Sequence, residues 1–161
     1  MNNLMEAVAY ETYADYCAPR REIGLSVIPE SLFDDLKEQD TKFMEIVEHW
    51  ENLQQELGYQ SVWSMTEFGK KGLDFQIFTD KVRKVTYEFV RHDATIEEIN
   101  ADLQDGGKRS MAQVSMTAID GTIKSLWFAA ESCIKQSGTH HRYIEDFEFG
   151  EDGTLMLITG S

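Results

Sequence analysis

The chain lacks long hydrophobic runs. No stretch of its 161 residues approaches the roughly 20 consecutive apolar residues that a membrane-spanning helix requires. The first residues also lack the basic segment and apolar core that characterise a secretion signal. These two absences argue against a membrane-spanning or secreted protein, and they predict a soluble protein of the cytoplasm.

Cysteine is scarce, with two residues in the whole chain. Cys17 and Cys133 are far apart in sequence, and a cytoplasmic protein keeps its thiols reduced. We therefore expect two free thiols and no disulfide, and the chain contains no Cys-x-x-Cys redox motif. A nucleophile pair of Cys17 with His49 or His92 has no flanking motif to support it.

Basic residues are few. Fifteen lysines and arginines stand against 29 aspartates and glutamates, for a net charge of −14. Residues 1–60 hold four of the basic and thirteen of the acidic side chains, so the negative charge is concentrated there. A field of this sign repels nucleic acids and anionic membranes and attracts basic proteins. The composition predicts a basic protein partner, with no direct binding to nucleic acid or membrane.

Catalytic and metal-binding motifs are also missing, including the nucleophile elbow and the His-Glu-x-x-His zinc motif. His140 and His141 are the best candidates for chemistry. Adjacent strand residues point to opposite faces, so we do not expect both to serve one site. A metal would need a third ligand from elsewhere, such as His92 with Asp93. We therefore predict no catalytic residue, no metal and no cofactor, and we favour a non-enzymatic protein.

The segment 105–110 (DGGKRS) contains the glycines and the lysine typical of a phosphate-binding loop. That motif connects a strand to a following helix. Here the segment is predicted to follow a helix and to precede a strand. We therefore expect a surface loop without nucleotide binding.

The strongest positive signal is a long amphipathic helix over residues 31–57. Ser31 can cap its first turn and Gly58 can end it. Gln39 is the one polar residue among eight seam positions; the other seven are apolar and comprise Leu32, Leu36, Phe43, Ile46, Trp50, Leu53 and Leu57. Phe33 and Val47 widen the stripe, so we expect a helix lying on a globular core. The heptad length also allows a homodimer, which a polar substitution at an exposed seam residue such as Trp50 would dissociate.

The outer face of this helix holds the predicted partner-binding residues. They are the carboxylates of Asp34, Glu38, Glu45, Glu48 and Glu51, with Lys37 counted as the cation beside them. One interpretation is a solvated face that aids solubility. The other is an acidic ridge that docks on a basic surface, where carboxylates spaced by about 5–10 Å along the helix can stand in for phosphates.

Elsewhere the periodicity predicts an α+β fold in one domain, residues 1–161. Three further helices are expected over residues 3–17, 95–104 and 122–137, and the first should end at Ala18-Pro19. The strands are expected over residues 23–28, 60–68, 73–79, 82–90, 111–118, 143–149 and 154–159. They predict an antiparallel sheet of about five to six strands, formed by a meander and a C-terminal hairpin and packed against the helices.

Together these features predict a non-enzymatic acidic protein that binds and modulates or inhibits a basic, nucleic-acid-binding protein. Small phage anti-defence proteins, DNA mimics and immunity proteins share this size and charge, although no motif matches any family. The alternative is a small-molecule-binding or enzymatic α+β domain. Its pocket would lie between sheet and helices and be lined by Trp63, Phe75, Phe78, Trp127 and Tyr143.

Overall fold

A computed structural model describes residues 6–78, 83–150 and 153–161, with the backbone alone at Arg83. The chain divides into two compact units, Met1–Glu48 and His49–Ser161. Each unit has buried apolar residues of its own. Among the described residues, no helix combines the length and the apolar character that crossing a membrane requires.

The first unit has a small aromatic core. Helix α1, Tyr13–Glu22, contributes Tyr16 and Cys17, and the following helix contributes Phe33. The rings of Tyr16 and Phe33 stack with their centroids 5.9 Å apart. Burying such large rings supplies most of the apolar contact in this unit.

Helix α1 differs from the sequence prediction at both ends. A helix was expected over residues 3–17, ending before Pro19, and residues 3–5 of it lie outside the described residues. Residues 6 and 7 are helical, and a turn and a bend follow. Helix α1 begins at Tyr13, after Thr12 caps it, and it continues through Pro19 to Glu22. A proline inside a helix removes one backbone hydrogen bond, so other interactions must hold the last turn.

Those interactions come from Arg20, whose side chain is buried. Its guanidinium lies 2.8 Å from a Glu6 carboxylate oxygen, and its Nε donates to the Ser26 carbonyl at 2.8 Å. The segment 23–28, predicted to be a short strand, forms none: residues 23–24 make a turn and residues 25–28 have no regular secondary structure. The Ser26 carbonyl accepts from a side chain and not from a neighbouring strand.

Helix α2, Glu30–Leu57, confirms the predicted long helix, and the Gly58 that follows has the positive φ of a helix end. The boundary between the two units falls within this helix. In the first unit, the Lys37 ammonium donates to the carbonyls of Val8 and Tyr10 at 3.0 and 2.8 Å. Lys37 is thus occupied by backbone carbonyls.

The second unit contains a five-stranded sheet in the order β1-β4-β5-β2-β3. Its strands are β1 Val62–Trp63, β2 Arg83–Val90, β3 Met111–Ala118, β4 Tyr143–Phe149 and β5 Leu155–Gly160. Strand β1 runs parallel to β4, and β2 runs parallel to β5, whereas β2–β3 and β4–β5 are antiparallel. The α+β class is confirmed, but the expectation of an antiparallel sheet is wrong, because the sheet is mixed.

The predicted meander is wrong over residues 60–78. Only the two-residue strand β1 forms there, followed by a 3₁₀ turn, Thr66–Phe68. Gln76 makes one isolated bridge to Thr122 in place of a strand. The end of the predicted strand 73–79 and the start of the next lie outside the described residues.

The backbone of residues 75–78 pairs with the chain at residues 121–123, where the helix Ile123–Ser137 begins. Phe75 accepts from the Ile123 N–H at 3.0 Å, and Ile77 donates to the Gly121 carbonyl at 2.9 Å. Gly121 is required here because any Cβ would clash with the carbonyl of Phe78. The alternating apolar residues are therefore used for packing against a loop and not for a hairpin.

The remaining helices and strands agree with the prediction. Helix α3, Ile96–Asp105, begins with the predicted capping box of Thr95 and Glu98. Helix α4, Ile123–Ser137, ends at Gly138, which adopts the left-handed conformation. Helix α4 packs on β2 and β3, so it covers one face of the sheet.

Three tryptophans form the centre of the second unit. Trp50, Trp63 and Trp127 are all at most 1% exposed, with ring centroids about 6 Å apart. The expectation that Trp50 is an exposed seam residue is wrong, because the end of α2 packs this ring into the core. A homodimer cannot therefore depend on an exposed Trp50.

Candidate functional site

All of the predicted partner-binding carboxylates are exposed to solvent. With 3.6 residues per turn, Asp34, Glu38, Glu45 and Glu48 fall within a stripe about 80° wide and about 21 Å long. We call these four residues the acidic stripe, and all of them belong to the first unit. Glu51 belongs to the second unit and lies about 60° beyond the edge of the stripe by the same geometry.

The acidic stripe is only partly neutralised. The Glu38 carboxylate lies 2.9 Å from the Lys42 ammonium, and both side chains are about two-thirds exposed. The hydrogen bond with Glu38 raises the pKa of Lys42. Lys37 was predicted to be the cation beside these carboxylates, and this was wrong because the cation that pairs with Glu38 is Lys42. Asp34 and Glu48 form no ion pair within the described part of the chain.

The middle of helix α2 is uncovered on every side. Residues 41–45 are all exposed, and five consecutive residues cover more than one full turn. Phe43 and Met44 are 48% and 53% exposed in this segment. The spacing of Phe43 predicts a position on the apolar seam, yet about half of this side chain is exposed. Contiguous exposed apolar patches often mark binding surfaces.

A cavity of about 620 Å³ in the second unit brings three of the four histidines together. They are His92, His140 and His141. His140 and His141 line the same cavity, although strand alternation predicted that they point to opposite faces. Both precede β4, whose first residue is Tyr143, so strand alternation does not separate them. Among the described residues, no group of three or more side chains is arranged to hold a metal ion.

Hydroxyl groups form the polar part of this cavity. The Tyr87 hydroxyl lies 2.9 Å from the Thr159 Oγ1 and 3.3 Å from the Thr139 Oγ1. The His141 Nδ1 lies 3.2 Å from the same Thr159 oxygen. Tyr87 is buried, so its hydroxyl sits at the base of the cavity while His141 stands at its exposed side.

The carboxylates of Asp102 and Asp105 accept hydrogen bonds from the DGGKRS segment, residues 105–110. Asp102 accepts from the Ser110 backbone N–H at 2.8 Å, from the Ser110 hydroxyl at 2.5 Å and from the Arg109 N–H at 2.9 Å. These bonds lower the pKa of Asp102 to about 2. Asp105 also binds the Arg109 guanidinium, at 2.6 Å. The Lys108 ammonium lies 2.9 Å from a Glu88 carboxylate oxygen, so both basic side chains of the segment are already paired.

Asp102→Asn is expected to destabilise the protein in a pH-dependent way. The native carboxylate has a depressed pKa, so its contribution is complete above pH ~4 and disappears as the pH falls through about 2. Urea unfolding at pH 7 should show a less stable variant, and the difference should shrink towards pH 2. Glu97→Gln, an exposed change on the same helix, should stay near wild type at both values. A difference that does not vary with pH would contradict the assignment.

The two cysteines are free thiols, as expected, and both are buried. Burial raises the pKa of Cys133 to about 11, so this thiol is protonated at neutral pH and is a poor nucleophile. Cys17 lies in the aromatic core of the first unit. The His49 ring is occupied, because its Nε2 donates to the Lys71 carbonyl at 2.7 Å.

A buried carboxylate, which sequence analysis missed, connects helix α4 to strand β1. Glu131 is 3% exposed and accepts from the backbone N–H groups of Gln60 and Ser61 at 2.7 and 2.8 Å. The Ser61 hydroxyl also donates to it, and the Trp127 Nε1 donates to that hydroxyl at 3.1 Å. The visible signal was a single acidic residue on an otherwise apolar helix stripe. The role of this network is structural.

The aromatic residues proposed to line a ligand pocket are mostly used elsewhere. Trp63 and Trp127 are buried in the core and cannot contact a ligand. Phe75 packs against Phe68, with ring centroids 6.1 Å apart. The cavity with the histidines has different walls, and sequence analysis did not identify it.

Comparison with known proteins does not assign a family. The chain matches no protein-family model, and no curated protein or solved structure is detectably similar to it.

Proposed function

We propose that this chain is a non-enzymatic interaction protein that binds a basic surface of another protein. The binding surface is the acidic stripe together with Phe43 and Met44. The observation that carries the proposal is the exposed helix segment 41–45, in which Phe43 and Met44 precede Glu45, a member of the acidic stripe.

Charge supports a basic partner. The chain has a net charge of −14, and residues 1–60 contain thirteen of its 29 carboxylates. Because Lys37 is held by backbone carbonyls, it does not pair with the stripe. A complementary potential raises the association rate and discriminates against acidic proteins.

The apolar residues argue against a face that serves solubility alone. Phe43 and Met44 are each about half exposed, which costs free energy in an isolated protein. Protein interfaces are enriched in aromatic residues and methionine at their centre, with charged residues at the rim. By the same helical geometry Met44 lies about 40° beyond the edge of the acidic stripe and Phe43 lies about 140–180° from its members. A partner that contacts both kinds of residue must therefore enclose the exposed segment 41–45.

The partner class we propose is a nucleic-acid-binding protein, whose activity the chain would modulate or inhibit. A basic patch or stripe is the electrostatic footprint of a nucleic-acid-binding protein. The stripe carries about one carboxylate per 5 Å of helix, compared with one phosphate charge per about 1.7 Å of duplex DNA. The charge density of the acidic stripe is thus lower than that of DNA. We infer that contacts with Phe43 and Met44 supply the rest of the affinity.

The test is affinity capture from the native host at low and high salt, followed by binding measurements with the captured protein. We expect a basic partner that is held at low salt and released at high salt. Neutralising the acidic stripe as D34N, E38Q, E45Q and E48Q should weaken its binding by about ten- to a hundredfold, because several complementary charges are lost together.

A matched control removes the same number of charges from the second unit. It carries glutamine at four exposed positions, Glu67, Glu97, Glu145 and Glu148. The control should bind within about twofold of wild type. An equal loss of affinity in both variants would show that net charge alone determines binding, and it would overturn the role of the acidic stripe. A homodimer that dissociates in the Phe43→Ser variant, with no partner captured, would favour self-association through the long helix.

A further inference from the structure

The histidine cavity has the size and composition of a small-molecule site. Its volume of about 620 Å³ lies within the range of 300–1,000 Å³ that is common for ligand pockets. Apolar side chains, including Val90, Met111 and Leu157, form much of its wall. Its polar groups are few and lie near each other, as in sites that orient a ligand.

The charges around this cavity favour a cation. Among its described lining residues, none is lysine or arginine, and Glu88 supplies a carboxylate. One oxygen of this carboxylate, Oε2, lies 2.9 Å from the Lys108 ammonium, so the ligand would bind the other oxygen. Hydrogen bonds from Gln113 and Lys108 hold the pKa of Glu88 below its usual range, so it is ionised at neutral pH. Helix α4 ends beside the cavity at Ser137, and a helix C-terminus carries partial negative charge.

The hydrogen-bonding groups favour a ligand that donates. The His92 Nε2 lies 2.9 Å from the Ser137 carbonyl, which can only accept. The Nε2 therefore carries the ring proton, and the Nδ1 of a neutral His92 is an acceptor. The Thr139 and Thr159 hydroxyl oxygens add further acceptor sites beside the Tyr87 hydroxyl.

We propose that the cavity binds a small organic amine, with its ammonium group near Glu88 and the histidines. The ammonium donates to the imidazole nitrogen and hydroxyl oxygens, and the apolar body lies on Val90, Met111 and Leu157. The aromatic rings of Tyr87 and Phe89, with centroids 5.8 Å apart at the same wall, can add cation–π attraction. This site lies in the second unit and is independent of the acidic stripe.

The test uses nuclear magnetic resonance of the histidine rings in the full chain at pH 8, where an ordinary imidazole is neutral. The probe is benzylamine, which is protonated at this pH, and benzyl alcohol and benzoate are its uncharged and anionic counterparts. We expect benzylamine to shift the ring signals of His92, His140 and His141 and to leave those of His49 unchanged. His49 is an internal control because it is bound to the Lys71 carbonyl.

Variants test the ammonium site directly. Glu88→Gln should weaken benzylamine binding by about tenfold, as expected for the loss of one charge-assisted interaction. Glu148→Gln, which removes an exposed charge at the other end of β4, should leave it unchanged. His141→Gln should also weaken binding.

Four results would overturn the proposal. The first is an absence of ring shifts when benzylamine is present at millimolar concentration and in tenfold excess over the protein. The second is equal binding of benzyl alcohol or benzoate, and the third is undiminished benzylamine binding by the Glu88→Gln variant. The fourth is a shift of the histidine ring signals with Zn²⁺ but not with the amine. The last result would assign the histidines to a metal. None of these outcomes bears on the acidic stripe.

Discussion

Replacing Glu131 with alanine is expected to destabilise the second unit by about 3–5 kcal/mol, the range measured when one partner of a buried charged network is removed. The side chain is 3% exposed and is the acceptor for two backbone N–H groups, those of Gln60 and Ser61. Alanine would leave the Ser61 N–H and hydroxyl buried without this acceptor, and the partly buried Gln60 N–H would lose it too. Each such buried donor costs about 1–3 kcal/mol.

Two further variants separate the sources of this effect. Glu131→Gln keeps one acceptor oxygen and should cost less than alanine. Lys135→Ala removes the cation 3.6 Å from the carboxylate, but Lys135 is 52% exposed and should cost well under 1 kcal/mol. Urea unfolding followed by tryptophan fluorescence measures all three, because every tryptophan of the chain lies in this unit. If Lys135→Ala were as damaging as Glu131→Ala, the ion pair and not the backbone contacts would hold β1 in place.

Trp50→Ala should cost a similar amount, about 3–5 kcal/mol, which is typical for removing a fully buried tryptophan. The ring is 0% exposed and packs 5.8 Å from Trp63 and 6.0 Å from Trp127. Its loss leaves a cavity at the centre of the unit that rigid neighbours cannot fill. Thermal or urea unfolding, followed by the fluorescence of the two remaining tryptophans, measures the effect.

Phenylalanine substitutions provide the matched comparison. The Trp50 Nε1 is buried without a hydrogen-bond partner among the described residues, so Trp50→Phe removes an unsatisfied donor. Trp127→Phe instead removes the donor to the Ser61 hydroxyl. Trp127→Phe should therefore cost more than Trp50→Phe. The reverse order would show that ring volume, and not hydrogen bonding, dominates both sites.

The acidic stripe was visible in the sequence because helical periodicity assigns charged residues to one side. The exposure of residues 41–45 was not visible in this way. Phe43 has the spacing of a core residue, and only the absence of a packing neighbour shows that it is exposed. The same limit applied in reverse to Trp50, which looks like a seam residue of a coiled coil but packs into the core of the second unit.

The histidine cavity depends on strand pairing. Strand β5 lies parallel to β2, which places Thr159 beside Tyr87 and brings the chain after β2 near the chain before β4. Residues 92 and 140 are far apart in sequence, and no local pattern indicates that they meet. Glu131 is a comparable case, because its partners Gln60 and Ser61 lie about 70 residues away.

The sequence by itself determined the long helix, the capped helices α3 and α4, the strands β2 and β3, the C-terminal hairpin and the acidic face. These features depend on caps, turns and periodicity, which act over one or two helical turns or one hairpin. Only the tertiary structure decided the mixed sheet. Helix α4 carries the chain from β3 across the sheet to β4, and a helical crossover between strands sets them parallel. Which strands become neighbours depends on how distant apolar faces pack together, and that is not encoded at any single position.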